Sequence, residues 1–203
     1  QQQLDNLEPG SAIELPPETL SPLAVRVPGV TVSCAPDTVI DGGGKGNAVH
    51  ILAEEVTLSG CTVRNWGKDL NELDAGIFVA REARGSTIEN NQLQGPAFGI
   101  WLDATPDVTV RNNRIRGDIS LRSQDRGNGI HLFNTTGALI EDNDISQTRD
   151  AIYIETANNN KILNNVMTDL RYGIHYMYSM NNLLEGNLTR GTRTGYALMQ
   201  SKR

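Results

Sequence analysis

Gly129-Ile130-His131-Leu132 returns 22 residues later as Ala151-Ile152-Tyr153-Ile154, and at the same interval as Gly173-Ile174-His175-Tyr176 and Gly195-Tyr196-Ala197-Leu198. Upstream the motif opens at Gly99-Ile100-Trp101-Leu102, Gly76-Ile77-Phe78-Val79 and Ala48-Val49-His50-Ile51, with insertions stretching the interval. A fixed period of ~20–50 residues marks a repeat architecture, because each unit buries its apolar face only against the next. Inside the units an apolar residue is followed three positions on by Asn: Ile88 and Asn91, Val110 and Asn113, Ile140 and Asn143, Ile162 and Asn165, Leu184 and Asn187. The exception is Cys61, which follows Leu58. Asn tolerates left-handed backbone at a corner, and its amide can bond the Asn stacked on it. Two residues further on, Val63, Leu93, Ile115, Ile145 and Met167 are apolar, while Thr189 is polar.

Each unit thus supplies three short strands separated by tight turns, with equivalent positions stacked at ~4.8 Å. The expected fold is all-β, a right-handed parallel β-helix with an Asn ladder at one corner. Leucine-rich repeats share a similar period but demand a Leu-rich signature, and helical repeats need longer units with 3.6-residue periodicity, which is missing here. Composition agrees: 20 Gly and 19 Asn in 203 residues disfavour long helices and favour frequent turns. A net charge of −6 argues against nucleic acid as a partner, since phosphate binding needs a basic face. No apolar run approaches the ~18 residues of a membrane-spanning helix.

Residues 1–29, with Pro9, Pro16, Pro17, Pro22 and Pro28 and no coil motif, are expected to cap the first coil. Residues 30–203 form the solenoid, which stops part-way through the coil begun at Gly195 and is expected to continue in a longer native chain. Cys34 and Cys61 lie about one coil apart at similar offsets. They stack either as a disulfide, which implies an oxidising compartment, or as two buried thiols, or as a thiolate copper site.

Alternation along the Gly-opened strand points its first and third residues inward and the second and fourth outward. The outward stripe reads Phe78/Ala80, Trp101/Asp103, His131/Phe133, Tyr153/Glu155, His175/Met177 and Ala197/Met199, a collection of aromatics, His and Met unusual for an idle surface strand. Two insertions, 64–75 and 116–128, leave the solenoid at one corner, and such loops commonly build a binding face. Trp66, Asp69, Arg122 and Arg126 from these loops, with Trp101, Phe133, Tyr153 and Glu155 from the stripe, are the candidate partner-binding residues.

On the stripe His175 and Met177 share a face at ~6.5–7 Å, and Met199 lies one coil above Met177. Imidazole with thioether sulfur favours soft Cu(I), held transiently. His131 and Met180 are secondary candidates, His131 being two coils, ~9.6 Å, from His175. The rival function is carbohydrate processing of the uronate lyase or epimerase type. It would need paired carboxylates, or a carboxylate with His and a basic residue, on an outward face. Asp103 and Glu155 stand two coils apart with Phe133 between them, and no Lys or Arg occupies the stripe. No catalytic residues are assigned.

The runs Arg126-Gly-Asn-Gly-Ile-His-Leu-Phe-Asn134, Arg149-Asp-Ala-Ile-Tyr-Ile-Glu155, Leu170-Arg-Tyr-Gly-Ile-His-Tyr-Met-Tyr-Ser179 and Gly195-Tyr-Ala-Leu-Met199 resemble the nitrous-oxide reductase maturation family NosD. The Asp41-Gly-Gly-Gly turn and Asp74-Ala-Gly-Ile-Phe78 are similar to it as well. The resemblance implies a periplasmic protein exported on a signal that is then removed. It also implies work alongside membrane ABC transporter subunits and a copper-chaperone lipoprotein to build the copper centres of nitrous-oxide reductase, without catalytic turnover. It does not say which residues hold copper.

Overall fold

The computed structural model describes residues 1–201. Twenty-four short strands form three parallel eight-stranded sheets, each coil contributing one strand to each sheet, so the architecture is the expected parallel β-helix. Sheet 1 runs from Ala12–Leu15 to Leu183–Glu185, sheet 2 from Thr19–Leu20 to Leu188–Arg190, and sheet 3 from Leu23–Val25 to Thr194–Met199. The repeats stack in the register that the sequence period requires: Ile100 pairs with Ile130, Ile130 with Ile152, Ile152 with Ile174 and Ile174 with Tyr196. Inward residues of all three sheets, such as Ile77, Val110, Ile115, Ile130 and Ile152, are fully buried in one continuous core. Among the described residues nothing stacks on the last coil, and its inward-position Tyr196 and Leu198 are exposed.

The corner between sheets 1 and 2 carries the Asn ladder. Asn143 Oδ1 accepts from both the backbone N–H and the side-chain amide of Asn113, while its own amide donates to Val110 O and to Asn165 Oδ1. The same pattern runs from Asn91 to Asn187. One detail differs from expectation: the left-handed residue is the one before each ladder Asn, namely Asn90, Asn112, Asp142 and Asn164, with φ between 54° and 58°, and Gly186 at 68°. The division of labour is physical. The preceding residue makes the sharp turn, and the following Asn satisfies the backbone groups that the turn strips of strand partners.

Cys61 stands where the first ladder Asn would be, and its N–H still donates to Asn91 Oδ1. It forms a disulfide with Cys34 of the coil below, Cα to Cα 5.0 Å, which settles the three alternatives left open by spacing. The covalent bond continues the ladder where the hydrogen-bonded one ends. A second ladder, Asn160 on Asn182, occupies the corner between sheets 3 and 1.

The N-terminal segment is organised differently from the expected division at residue 29. A short helix, Gln2–Asp5, places Leu4 against the core. The first coil then begins at Ala12, since Ala12–Leu15, Thr19–Leu20 and Leu23–Val25 already pair with the next coil's strands. Pro16, Pro17 and Pro22 fall between those strands and Pro9 and Pro28 outside them, where no ladder donor is needed, so they punctuate the coil without excluding it.

Candidate functional site

The outer face of sheet 3 stacks one side chain per coil. His50 pairs with Phe78, Phe78 with Trp101, Trp101 with His131, His131 with Tyr153 and Tyr153 with His175. All three histidines of the chain therefore share one column. Ring centroids lie 4.1 Å apart for Trp101 and His131, 4.6 Å for His131 and Tyr153, and 4.3 Å for Tyr153 and His175. Beside it Asp103, Phe133, Glu155, Met177 and Met199 form a second column in continuous register.

Although these residues point away from the solenoid core, much of the first column is shielded. Trp101, His131 and His175 are buried, and Trp101 packs with Ala75 and Phe98 beneath Leu70 and Leu73 of the first insertion. Trp101 is thus a packing residue, not the exposed partner contact expected from alternation. Trp66 is buried too: Cβ atoms built on Gly42 and Gly95 would lie 2.5 Å from its Cα and 2.6 Å from its ring. It fills space that glycines leave open, so it offers no surface to a partner. Arg126 spends its guanidinium on the carbonyls of Leu121 and Gln147, pinning the second insertion to the coil. Asp69 accepts from the backbone of Asn71 and Glu72 as a turn cap, and Arg122 pairs with Asp125 in the open. Phe133 is exposed, and Tyr153 and Glu155 are half-buried. The two insertions face each other across a cleft of about 660 Å³ lined by Lys68, Asp69, Leu121 and Gln124 among others.

The two inner histidines are held in opposite ways. His131 Nε2 faces the Glu155 carboxylate at 3.0 Å and its Nδ1 faces the Asn128 amide at 3.2 Å. A carboxylate only accepts, so Nε2 carries the hydrogen and Nδ1 accepts from Asn128 Nδ2. Both nitrogens are used, and His131 has no lone pair for a metal unless one of these bonds is given up. His175 turns Nδ1 to Asp150 Oδ2 at 2.9 Å, so its hydrogen sits on Nδ1, and its Nε2 is buried with no partner. Asp150, 1% exposed, is itself clamped by Arg171 through two bonds at 2.8 and 2.6 Å. A carboxylate orienting an imidazole so that its other nitrogen is free is the usual outer shell of a metal-ligating histidine.

Met177 lies two residues from His175, takes a hydrogen bond from the Tyr153 hydroxyl at 3.4 Å on its sulfur, and stands in register with Met199. Met180 sits exposed in the following turn. No three His, Cys, Asp or Glu side chains converge on one point among the described residues. The donor set at this place is one imidazole with thioethers, which fits Cu(I) and excludes a carboxylate cage for Mg or Ca. Sequence patterning missed Asp150, Arg171 and Asn128. Asn128 and Arg171 sit in the turn just before the Gly-opened strand and Asp150 at its first residue, where the entry of the turn sets the direction of the side chain. The recurrence of Arg149-Asp150 and Arg171-Tyr172 at 22 residues was the available signal.

Burial lowers the pKa of His131 from the ordinary imidazole value, with Glu155 pulling the other way, and burial lowers that of His50 too, aided by Arg26. The unfolded chain therefore takes up protons at higher pH than the folded one, and stability falls as pH drops through about 6.5. Glu155, lowered chiefly by the hydrogen bond from His131, and Asp150 extend the loss into the carboxylate range. For Asp150, burial alone would raise the pKa, but Arg171 and His175 outweigh it. Urea unfolding from pH 7.5 downward is expected to show this decline, and His131→Gln, which keeps a donor and an acceptor without titrating, makes it shallower. Superimposable profiles for the two proteins would show that His131 is not the group responsible.

Residues 112–203 match the family model described as periplasmic copper-binding protein (NosD), and residues 37–120 match a right-handed β-helix region. A protein of Pseudomonas aeruginosa named "Probable ABC transporter binding protein NosD" is 51% identical over 117 residues, 58% of this chain and 27% of the relative. Its namesake from Stutzerimonas stutzeri is 48% identical over the same shares. The matched stretch is thus little more than a quarter of those relatives' length. Among solved structures, a PL6 alginate lyase in complex with a trisaccharide superposes with a TM-score of 0.70 over 95% of this chain and 47% of its own, at 17% identity. That likeness is one of fold. No helix among the described residues is long and apolar enough to cross a membrane.

Proposed function

We propose that this chain, which is NosD-like, is a periplasmic accessory protein that receives Cu(I) and presents it for assembly of the copper centres of nitrous-oxide reductase. In this role it works beside an ABC transporter and a copper-chaperone lipoprotein and catalyses no reaction itself. One observation carries the reading. His175 Nε2 is buried without a partner while Nδ1 is fixed by the Asp150–Arg171 clamp, next to a thioether pair in register. His175, Met177 and Met199 are the residues that would hold the ion. Copper is cargo, so a shallow site with one buried and two more accessible donors suits uptake and release. The disulfide is consistent with an oxidising compartment.

Titration of the purified protein with Cu(I) against a chelator of known affinity tests the assignment. Transfer of one ion is expected, and the combined substitution His175→Ala, Met177→Leu and Met199→Leu is expected to abolish it. Unchanged transfer in that variant would sink the site. If the variant instead bound copper normally but lost complex formation, the face would be a docking surface only. Carbohydrate processing is disfavoured by the use already made of the carboxylates. Glu155 is engaged by His131, and Asp103 sits two coils away next to Trp101 Nε1. New unsaturated ends from a uronic-acid polymer would revive it.

A further inference from the structure

Arg149, Arg171 and Arg193 recur at the 22-residue period and stack at one corner position, for the Arg171 N–H donates to Arg149 O and the Thr194 N–H to Arg171 O. Three guanidinium-bearing residues at ~4.8 Å steps repel one another unless something negative neutralises them. Among the described residues only Arg171 of the three is in a salt bridge, and its partner Asp150 is buried. Arg149 Nε is shut away from water with no hydrogen-bond partner, and Arg193 is exposed. Arg171, Arg193 and Arg126 line a cleft of about 520 Å³ with Ser123 and Gln124 of the second insertion, and Asp169 is its one acidic wall residue.

We infer that this arginine column is a docking site for an acidic segment of a partner protein. A free oxyanion would bridge one step of the column. The full column covers two steps, about 10 Å, and suits successive carboxylates of an extended chain. Guanidinium groups are the preferred receivers of carboxylates because their paired N–H donors match both oxygens. The chain as a whole carries −6, so an acidic segment is repelled elsewhere and drawn to this corner. Arg171 joins the column to the clamp on His175, which places the docked segment beside the buried imidazole.

The probe is a fluorescein-labelled hexaglutamate peptide, followed by anisotropy with the full chain at low and at physiological salt. Saturable binding that weakens with salt is expected. Arg149→Gln with Arg193→Gln is expected to weaken it about tenfold, the order set by two guanidinium–carboxylate contacts. Arg81→Gln with Arg84→Gln, at a different corner, is expected to leave it unchanged, and circular dichroism establishes that both variants are folded. Absence of binding, or equal loss in both variants, overturns the inference. So does displacement of the peptide by inorganic phosphate at the peptide's own concentration, which would make the cleft a free-oxyanion site. Copper takes no part in the measurement, so its failure leaves the Cu(I) proposal standing.

Discussion

Asn143→Ala is expected to destabilise the protein by about 4 kcal/mol, because two buried donors of Asn113, its N–H and its side-chain amide, lose their acceptor and each costs ~1–3 kcal/mol. Val110 O loses its amide donor as well. The residue is 1% exposed and sits mid-ladder, so water cannot replace what is lost without opening the coil. Asn187→Ala removes the corresponding groups at the ladder's last rung, where Asn187 is half-buried, and should cost about 1 kcal/mol, the ordinary net worth of a solvent-accessible hydrogen bond. Equilibrium denaturation of the two variants gives the comparison. Equal losses would mean that the ladder adds nothing beyond local turn preference.

Asp150→Ala is expected to cost a similar amount, about 3–5 kcal/mol, the range for removing one member of a buried ion pair. Arg171 loses both of its short bonds, and His175 loses the acceptor that fixes its tautomer. Arg171 is about a quarter exposed and stacks on Tyr172 at 4.4 Å, so water and the ring offset part of the loss and hold the figure to the lower half of that range. The double variant Asp150→Ala with Arg171→Met is expected to be no less stable than the single one, since the stranded charge is gone. Additive losses in the double-mutant cycle would refute the coupling. In Cu(I) titrations the single variant should bind more weakly than its stability alone explains, because an unheld imidazole is free to turn Nε2 away.

How much of this was legible beforehand divides along a physical line. The 22-residue recurrence gave the coils, the three sheets and the vertical registers, and it put Trp101, His131, Tyr153 and His175 in one column as alternation required. Alternation says which side of a strand a residue leaves from, but not what lies over it. Trp66 and Trp101 looked like surface aromatics because the covering partners, glycines of neighbouring coils for one and Leu70 and Leu73 for the other, come from insertions and turns that have no period. Spacing ranked His131 behind His175 only because it lies two coils away; their hydrogen bonds supply the chemical distinction, a saturated imidazole against one with a free nitrogen.

The sequence by itself determined the layer in which each residue lies, because a repeat whose apolar positions recur at a fixed period can bury them in only one stacking register. The tertiary structure alone decided the corners. There, where strand and turn meet, Arg171 and His175 converge on Asp150 from the next coil, and Cys34 reaches Cys61. Those directions follow from turn geometry and three-dimensional neighbours, which a one-dimensional period does not encode.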